Sequence, residues 1–425
     1  MVIHVVQKDE TITSIADKYG VSAERLILEN GIRYPDRLVE GETIVILIPE
    51  VTYTVREGDT LEGIADSLGV NVMQLLRNNP YLSDREYIYP GETIVISYED
   101  YKTGDMSING YVYPYIDIGV LRKTLPFLTY MTVFTYTVTA EGNIDDIDDE
   151  EIIRTAKAYG VAPVMMLVAQ SHSMQEEIDV LHTIYTREDI QERFFDNLLN
   201  ILQTKGYSGV TINTPYILPA DRSIYEQFVV LFANRVRNAG YLVFDTFSIR
   251  VFELLTGTLF TGLEYSEFSR EVDGITFITF AFGYSEGIPP GTLSMDTLRR
   301  FLENTISQIP PEKSDIGIIV IGYVWALPYI PGISKGMAIN YDSAIDIAVT
   351  NSAQIRFDET TNVAYFQYTS VNEYVVRFWD ARSIYNFARL VPEYGLNGMG
   401  IWNIMSWFPQ MWLVINSQYN IKKIL

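Results

Sequence analysis

The 425-residue chain contains no cysteine. That excludes disulfides and thiolate metal sites. Histidine is nearly absent as well: His4, His172 and His182 are scattered, a poor basis for an imidazole-rich metal centre. Neither a metal nor an organic cofactor is therefore expected. Basic charge is scarce, with 31 Lys and Arg against 54 acids and a net charge of −23. Phosphate binding needs a basic face, so nucleic acid is not an expected partner, and anionic membrane surfaces are disfavoured for the same reason. No apolar run reaches the roughly 18 residues of a membrane span. The first ten residues, MVIHVVQKDE, lack the basic and long apolar regions of a signal peptide. A soluble chain made in a cytoplasm, without membrane insertion, is the expectation. No glycine-rich phosphate loop follows the first strand of the large domain, which argues against an open doubly wound sheet.

What is abundant is apolar and aromatic. Hydrophobic residues make up 48% of the chain, which suffices for a large core, and there are 30 Tyr. Exposed aromatic rings suit the faces of sugars, although an aromatic-rich core is the simpler use of them.

An internal repeat occupies the first quarter. Val6, Thr11, Ile15 to Asp17, Gly20-Val21 and Asn30 recur as Val55, Thr60, Ile64 to Asp66, Gly69-Val70 and Asn79. Both copies close with Gly-Glu-Thr-Ile-Val-Ile, at 41–46 and 91–96. Each reads as strand, helix, helix, strand. Thr60 is placed to cap a helix carrying Leu61, Ile64 and Ala65 on one face. Gly69 stops that helix, and Asn79-Pro80 ends the next. The boundaries are 1–49 and 50–98, followed by a polar linker over 99–105.

The pattern Val55-x-x-Gly58-Asp59-Thr60-Leu61-x-x-Ile64-Ala65, then Asn79, then Gly91-Glu-Thr-Ile resembles the LysM domain, a binder of N-acetylglucosamine polymers such as peptidoglycan and chitin. The first copy departs from it, with Asp9-Glu10 in place of Gly-Asp. The resemblance implies a binding groove at Gly58, Asp59, Thr60, Asn79, Pro80, Tyr81 and Leu82, and more weakly at Glu10, Thr11, Asn30, Gly31 and Ile32. Several of these have a purely structural use as caps and stop signals. Paired modules would raise avidity on a repeating polymer.

Beyond the linker, apolar runs suited to strands buried on both faces alternate with helical patterns. The strands fall at 107–114, 130–136, 162–168, 209–213, 241–248, 274–282, 316–323 and 398–404. Helices are expected at 148–159 and 191–205, among others. Eight such units over 106–425 predict an α/β fold, a (β/α)8 TIM barrel preceded by the two small βααβ modules. A small α+β insertion is expected at about 335–368, with a hairpin over 355–368.

The segments INGYVYP, LPFLTY, YGVAPV, QERFFDNLL, KGYSGVTIN, FWDARSI and YGLNGMGIWN look like the barrel of glycoside hydrolase family 18. Two LysM modules ahead of such a barrel resemble the spore cortex-lytic N-acetylglucosaminidases of endospore-forming bacteria. In that family the fourth strand ends in Y-D-G-x-D-I-D-x-E: its last Glu is the general acid, and its last Asp orients the substrate acetamido group, whose oxygen is the nucleophile. A Tyr and an Asp at the end of the sixth strand complete the pocket. Here Tyr207, Gly209, Ile212 and Tyr216 keep the frame. Asn213 replaces the orienting Asp and Pro215 replaces the acid. Phe280 and Ala281 stand where the sixth strand's Tyr and Asp belong. Proline cannot donate a proton, and loss of a general acid costs about 100- to 10,000-fold. Rescue by Asp245, Glu264 or Glu286 is the alternative.

A sugar cleft can outlive its chemistry. The resemblance assigns Trp402 to the floor of the cleft, and Tyr111, Tyr113, Trp325 and Tyr216 are further aromatic candidates. The sequence thus supports a glycan-binding protein of the bacterial spore envelope, cortex or coat, with a non-catalytic barrel. Peptidoglycan or another N-acetylglucosamine polymer is the expected partner, with spore-envelope proteins besides, and assembly would be from the mother-cell cytoplasm. The competing readings are an active N-acetylglucosaminidase with a displaced acid, and a scaffold without glycan affinity.

Overall fold

The computed structural model describes every residue except 100–101, 170, 172, 215–221, 249, 255–256, 262–267, 279–293 and 331–332. Pro215, Tyr216, Phe280, Ala281, Glu264 and Glu286 lie outside the described residues.

Eight parallel strands close into a barrel: β1 (Gly104–Val112), β2 (Tyr130–Val138), β3 (Ala162–Ala169), β4 (Gly209–Thr214), β5 (Leu242–Ser248), β6 (Gly274–Ile278), β7 (Ser314–Ile319) and β8 (Gly398–Trp402). The last pairs with the first, Trp402 opposite Tyr111. The runs read from sequence are these strands because Val, Ile, Met and Phe dominate them, with Thr, Asn and Tyr at some inward positions. The outward face packs on helices and the inward face fills the barrel.

β7 is shorter than its apolar run suggests. It stops at Ile319, and Gly322–Leu327 turns away into a separate five-stranded antiparallel sheet. That sheet also takes in Met337–Ile339, Arg356–Asp358, Val363–Thr369 and Glu373–Phe378, with the helix Tyr341–Thr350 beside it. The hairpin expected over 355–368 is present as Arg356–Asp358 against Val363–Thr369. The insertion nevertheless extends well past 335–368 on both sides, because the hairpin needs Gly322–Leu327 and Glu373–Phe378 to complete a sheet.

Each N-terminal module pairs its outer strands antiparallel, Val2–Val5 with Thr43–Ile46 and Pro49–Thr54 with Thr93–Tyr98, around two short helices. Thr11 and Thr60 cap the first helices, accepting from Ser14 N and Gly63 N. The substituted turn of the first copy keeps its shape. Asp9 adopts φ 65° where Gly58 adopts 87°. Glu10 accepts from Gln7 N (2.8 Å) and His4 (2.7 Å), as Asp59 accepts from Arg56 N (2.7 Å) and Tyr53 (2.9 Å). Acid and partner have changed together.

The modules do not hang free. Val39, Val45, Leu47, Val95 and Tyr98 belong to the same hydrophobic core as the barrel. The helix Pro409–Gln418 lies beneath them, buried from Pro409 to Ser417. Its polar residues find partners across the junction. Thr43 Oγ1 donates to Gln410 at 2.7 Å, Gln410 donates back to Thr43 O at 2.6 Å, and Asn416 donates to Asn78 at 2.9 Å. Tyr98, bonded to Glu29 and Asn78 O, ties module to module. Buried polar groups left without such partners would cost about 1–3 kcal/mol each, so the pairing favours one docked arrangement.

Candidate functional site

Function in a barrel of this kind resides at the C-terminal ends of the strands. Inside the barrel, below that rim, lies a small hydroxyl network. Tyr111 on β1 bonds Thr246 on β5 at 3.3 Å, and Thr246 bonds Thr211 on β4 at 3.1 Å. Tyr111 is 3% exposed, and burial pushes its hydroxyl pKa up. It therefore acts as a neutral hydrogen-bonding group and offers no ring face to solvent.

Alternation along β4 sends Asn213 to the same side as Thr211, one step nearer the mouth. Asn213 is half-buried. A neutral amide here can bond an acetamide but brings no charge. Asp245 is fully buried on β5 and alternates with the inward-facing Thr246, which puts it on the barrel's outer face. It is out of reach of a cleft substrate.

An aromatic cluster sits at the ends of β1, β2 and β8. Trp402 is half-buried, with Phe134 edge-on at 5.0 Å and 89°, Tyr111 at 5.6 Å and Tyr113 at 6.1 Å. Tyr113 stacks on Tyr115 at 5.4 Å and 25°. Tyr115, 76% exposed, continues the cluster outward to solvent. The turn carrying it is fixed by Ile116 N donating to Tyr113 O (3.1 Å) and Tyr113 N to Met405 Sδ (3.3 Å). Sequence reasoning missed Tyr115, which lies in the turn beyond the end of β1 at Val112, where strand alternation no longer applies.

Trp325 does not join this cluster. It lies on the insertion strand Gly322–Leu327, 1% exposed, beside Tyr323 and packed against Gly336. Because β7 ends at Ile319, Trp325 is a core residue of the insertion and presents no face to a ligand.

The acidic run 145–151 also has a structural task. Asp149, 1% exposed, precedes the helix Glu150–Ala158 and bonds Tyr136 (2.5 Å), Tyr207 and Lys205 (2.9 Å). The cluster pins β2 to the approach of β4. Among the described residues no group of three or more His, Asp or Glu converges as a metal site.

In the modules, the candidate residues divide. Asn30 and Asn79 are each 1% exposed and fully engaged. Asn79 Nδ2 donates to Leu75 O and Val95 O, and its Oδ1 accepts from Val95 N, all at 2.8 Å. Asn30 makes the same three bonds to Leu26 O, Val45 O and Val45 N. These amides staple the second helix to the last strand. Pro80, Leu82 and Ile32 are buried, and Gly31 abuts Pro409, where a Cβ would lie 2.7 Å from the ring. Tyr81 is half-buried with the Arg85 guanidinium 5.3 Å over its ring. Gly58, Thr60 and Thr11 are exposed, and Asp59 is half-buried.

The family description "LysM domain" matches residues 4–47 and 53–97. The chain carries two LysM domains. Over its whole length it is 26% identical to the cortical fragment-lytic enzyme of Bacillus subtilis, a match covering 100% of this chain and 99% of that protein. The crystal structure of the spore cortex-lytic enzyme SleL of Bacillus megaterium superposes with a TM-score of 0.81 at 25% identity, over 100% of this chain and 99% of that one. A family GH18 chitinase from Cycas revoluta matches 73% of this chain and 98% of its own at a TM-score of 0.59 and 16% identity, a likeness of fold alone. The part behind the LysM pair thus has the barrel fold of the GH18 chitinases.

Proposed function

We propose that this protein binds peptidoglycan, or another N-acetylglucosamine polymer, in the bacterial spore envelope, and that its barrel binds or braces glycan without cleaving it. The observation that carries the reading is the end of β4. The inward position nearest the mouth is Asn213, and the chain continues into Pro215. Neither can donate a proton at neutral pH, and neither can offset the positive charge that develops when an acetamide oxygen attacks the sugar. The LysM pair and the whole-length similarity to cortex-lytic proteins support the target. The same similarity supports placement in the cortex or coat after synthesis in the mother cell. The aromatic cluster around Trp402 supports a retained sugar cleft, because flat rings pack well against the apolar faces of pyranoses.

A second reading, an active N-acetylglucosaminidase with a displaced acid, is favoured by that similarity to proteins named as lytic. Asp245 is disqualified by its outward direction. One assay separates the readings: release of reducing ends from spore-cortex fragments and from N-acetylglucosamine oligomers, alongside binding to the same material. Binding without release is expected. Robust turnover by the unmodified chain, abolished by substituting a barrel residue, would overturn the non-catalytic reading.

A further inference from the structure

The two LysM modules end in the same turn. Gly41 N donates to Val6 O and Gly91 N to Val55 O, each at 2.8 Å; Glu42 N donates to Val39 O at 3.0 Å and Glu92 N to Tyr89 O at 3.1 Å. The carboxylates repeat the pattern, Glu42 accepting from Val39 N at 3.1 Å and Glu92 from Tyr89 N at 3.0 Å. Val39 and Tyr89 therefore occupy one position of the module, and two residues earlier Arg37 corresponds to Tyr87.

The corresponding faces have different neighbours. In the first module the face is spent on the barrel domain. Val39 is 7% exposed within the barrel's core, Arg37 donates to Val349 O at 3.3 Å, and Glu40 O accepts from Ile355 N at 2.9 Å. In the second module the same face is open: Tyr87 and Tyr89 are 66% and 58% exposed, while Ile88 between them packs on the module's core. Among the described residues no ring or cation stacks on either tyrosine. Arg85 and Glu86 flank them, and Tyr87 donates to Glu86 at 2.9 Å.

We infer that Tyr87 and Tyr89 are the glycan-stacking face of the LysM pair, taking pyranose rings of an N-acetylglucosamine polymer, and that the first module serves as a dock and offers no equivalent face. This rests on the glycan-binding reading above. Two exposed tyrosines bracketing an inward residue present aromatic rings to solvent with polar groups beside them. That chemistry matches a sugar, apolar on its face and hydroxylated at its rim. The net charge of −23 disfavours a polyanion. Both modules are tied to the barrel domain, but only the first has this face covered, so the pair supplies one such face.

The test is calorimetric titration of an N-acetylglucosamine hexamer into the full chain. The background is Trp402→Ala, which removes the centre of the aromatic cluster at the barrel mouth. One hexamer per chain is expected. Tyr87→Ala combined with Tyr89→Ala should weaken binding at least about tenfold with the thermal midpoint unchanged, since both side chains are exposed. Phe at both positions should retain most of the affinity. Two hexamers per chain, or unchanged affinity in the double Ala variant, would overturn the inference while leaving the glycan reading standing. A dimer in sedimentation that the same variant dissociates would assign the face to a second copy and also overturn it. No hexamer binding by the unmodified chain would remove the glycan reading itself, and this inference with it.

Discussion

Replacing Glu42 with Gln should stabilise the protein, and only above acidic pH. Docking of the first module buries Glu42 to 6% exposure. Desolvation raises its pKa from 4.5 to about 7, against the lowering effect of the hydrogen bond from Val39 N. Its counterpart Glu92 stays nearer the surface and pairs with Arg85 at 2.7 Å. The sign follows from proton linkage. Between pH 4.5 and 7 the folded state holds a proton that the unfolded state has released, so stability falls as pH rises through that window. Below it both states are protonated and the carboxyl behaves like an amide. Above it the folded state bears the full cost of a buried carboxylate. A shift from 4.5 to about 7 corresponds to about 3 kcal/mol. Gln preserves the acceptor for Val39 N and removes the charge. Urea unfolding of Glu42→Gln and the unmodified chain at pH 4, 6 and 8 should give coincident curves at pH 4 that separate progressively to about 3 kcal/mol at pH 8. A pH-independent difference, or no difference at pH 8, would show that Glu42 is not buried as a charge and that the first module is not docked as described.

Further outcomes follow from the same contacts. Gly41 and Gly91 share a turn at φ 87° and 91°, but a Cβ at Gly41 would overlap the Ile355 carbonyl oxygen whereas one at Gly91 meets nothing within 4 Å. Gly91→Ala should cost only the left-handed penalty, about 1–2 kcal/mol. Gly41→Ala should cost more and raise protease sensitivity at the junction; equal costs in thermal unfolding would refute the docked interface. Asn79→Ala removes the three backbone bonds of a buried staple and the longer one from the Tyr81 hydroxyl, and should destabilise by about 2–4 kcal/mol. Hexamer affinity should be unchanged at temperatures where the variant is folded; a loss of affinity at unchanged stability would make Asn79 a ligand contact. In a Tyr87→Ala/Tyr89→Ala background, Trp402→Ala should abolish residual hexamer binding and Tyr115→Ala should weaken it several-fold. Survival of that binding in the Trp402 variant would place the remaining site outside the cleft.

The barrel was legible in the sequence because most of its strands are apolar runs, a pattern that burial on both faces maintains. The modules were legible because turn and cap residues recur at fixed offsets. Failures arose where a residue's use depends on a distant partner. Asn79 follows a helix and precedes Pro80, which reads as a stop or a ligand contact. Its three partners include Val95, 16 positions away, and nothing in the local pattern announces that pairing. Trp325 looked like a residue at the mouth because its apolar run continues from β7. The chain leaves the barrel at Ile319, so position along a run did not give position in space.

The repeat gives the sharpest case. Val39 and Tyr89 share a position, and both are compatible with burial or exposure on hydrophobicity alone. What separates them is the third body, the insertion reaching out from the barrel to cover one copy. A duplicated module beside a single barrel cannot present the same face to it twice, because the two copies follow one another along the chain and only one reaches the insertion. The covered copy is then free to accumulate apolar and barrel-specific contacts, as Val39, Glu40 and Gly41 have. The open copy keeps side chains that tolerate water, as Tyr87 and Tyr89 do. The asymmetry between the modules is therefore a consequence of docking. If the cover over the first module were displaced by Gly41→Ala, whose Cβ would overlap the Ile355 carbonyl oxygen, Val39 and Glu42 would become solvent-exposed. The pH-dependent part of the stability, which arises from burying Glu42, should then disappear. Persistence of that dependence in the opened variant would mean that the charge is buried by the module itself and that the insertion is not what distinguishes the two copies.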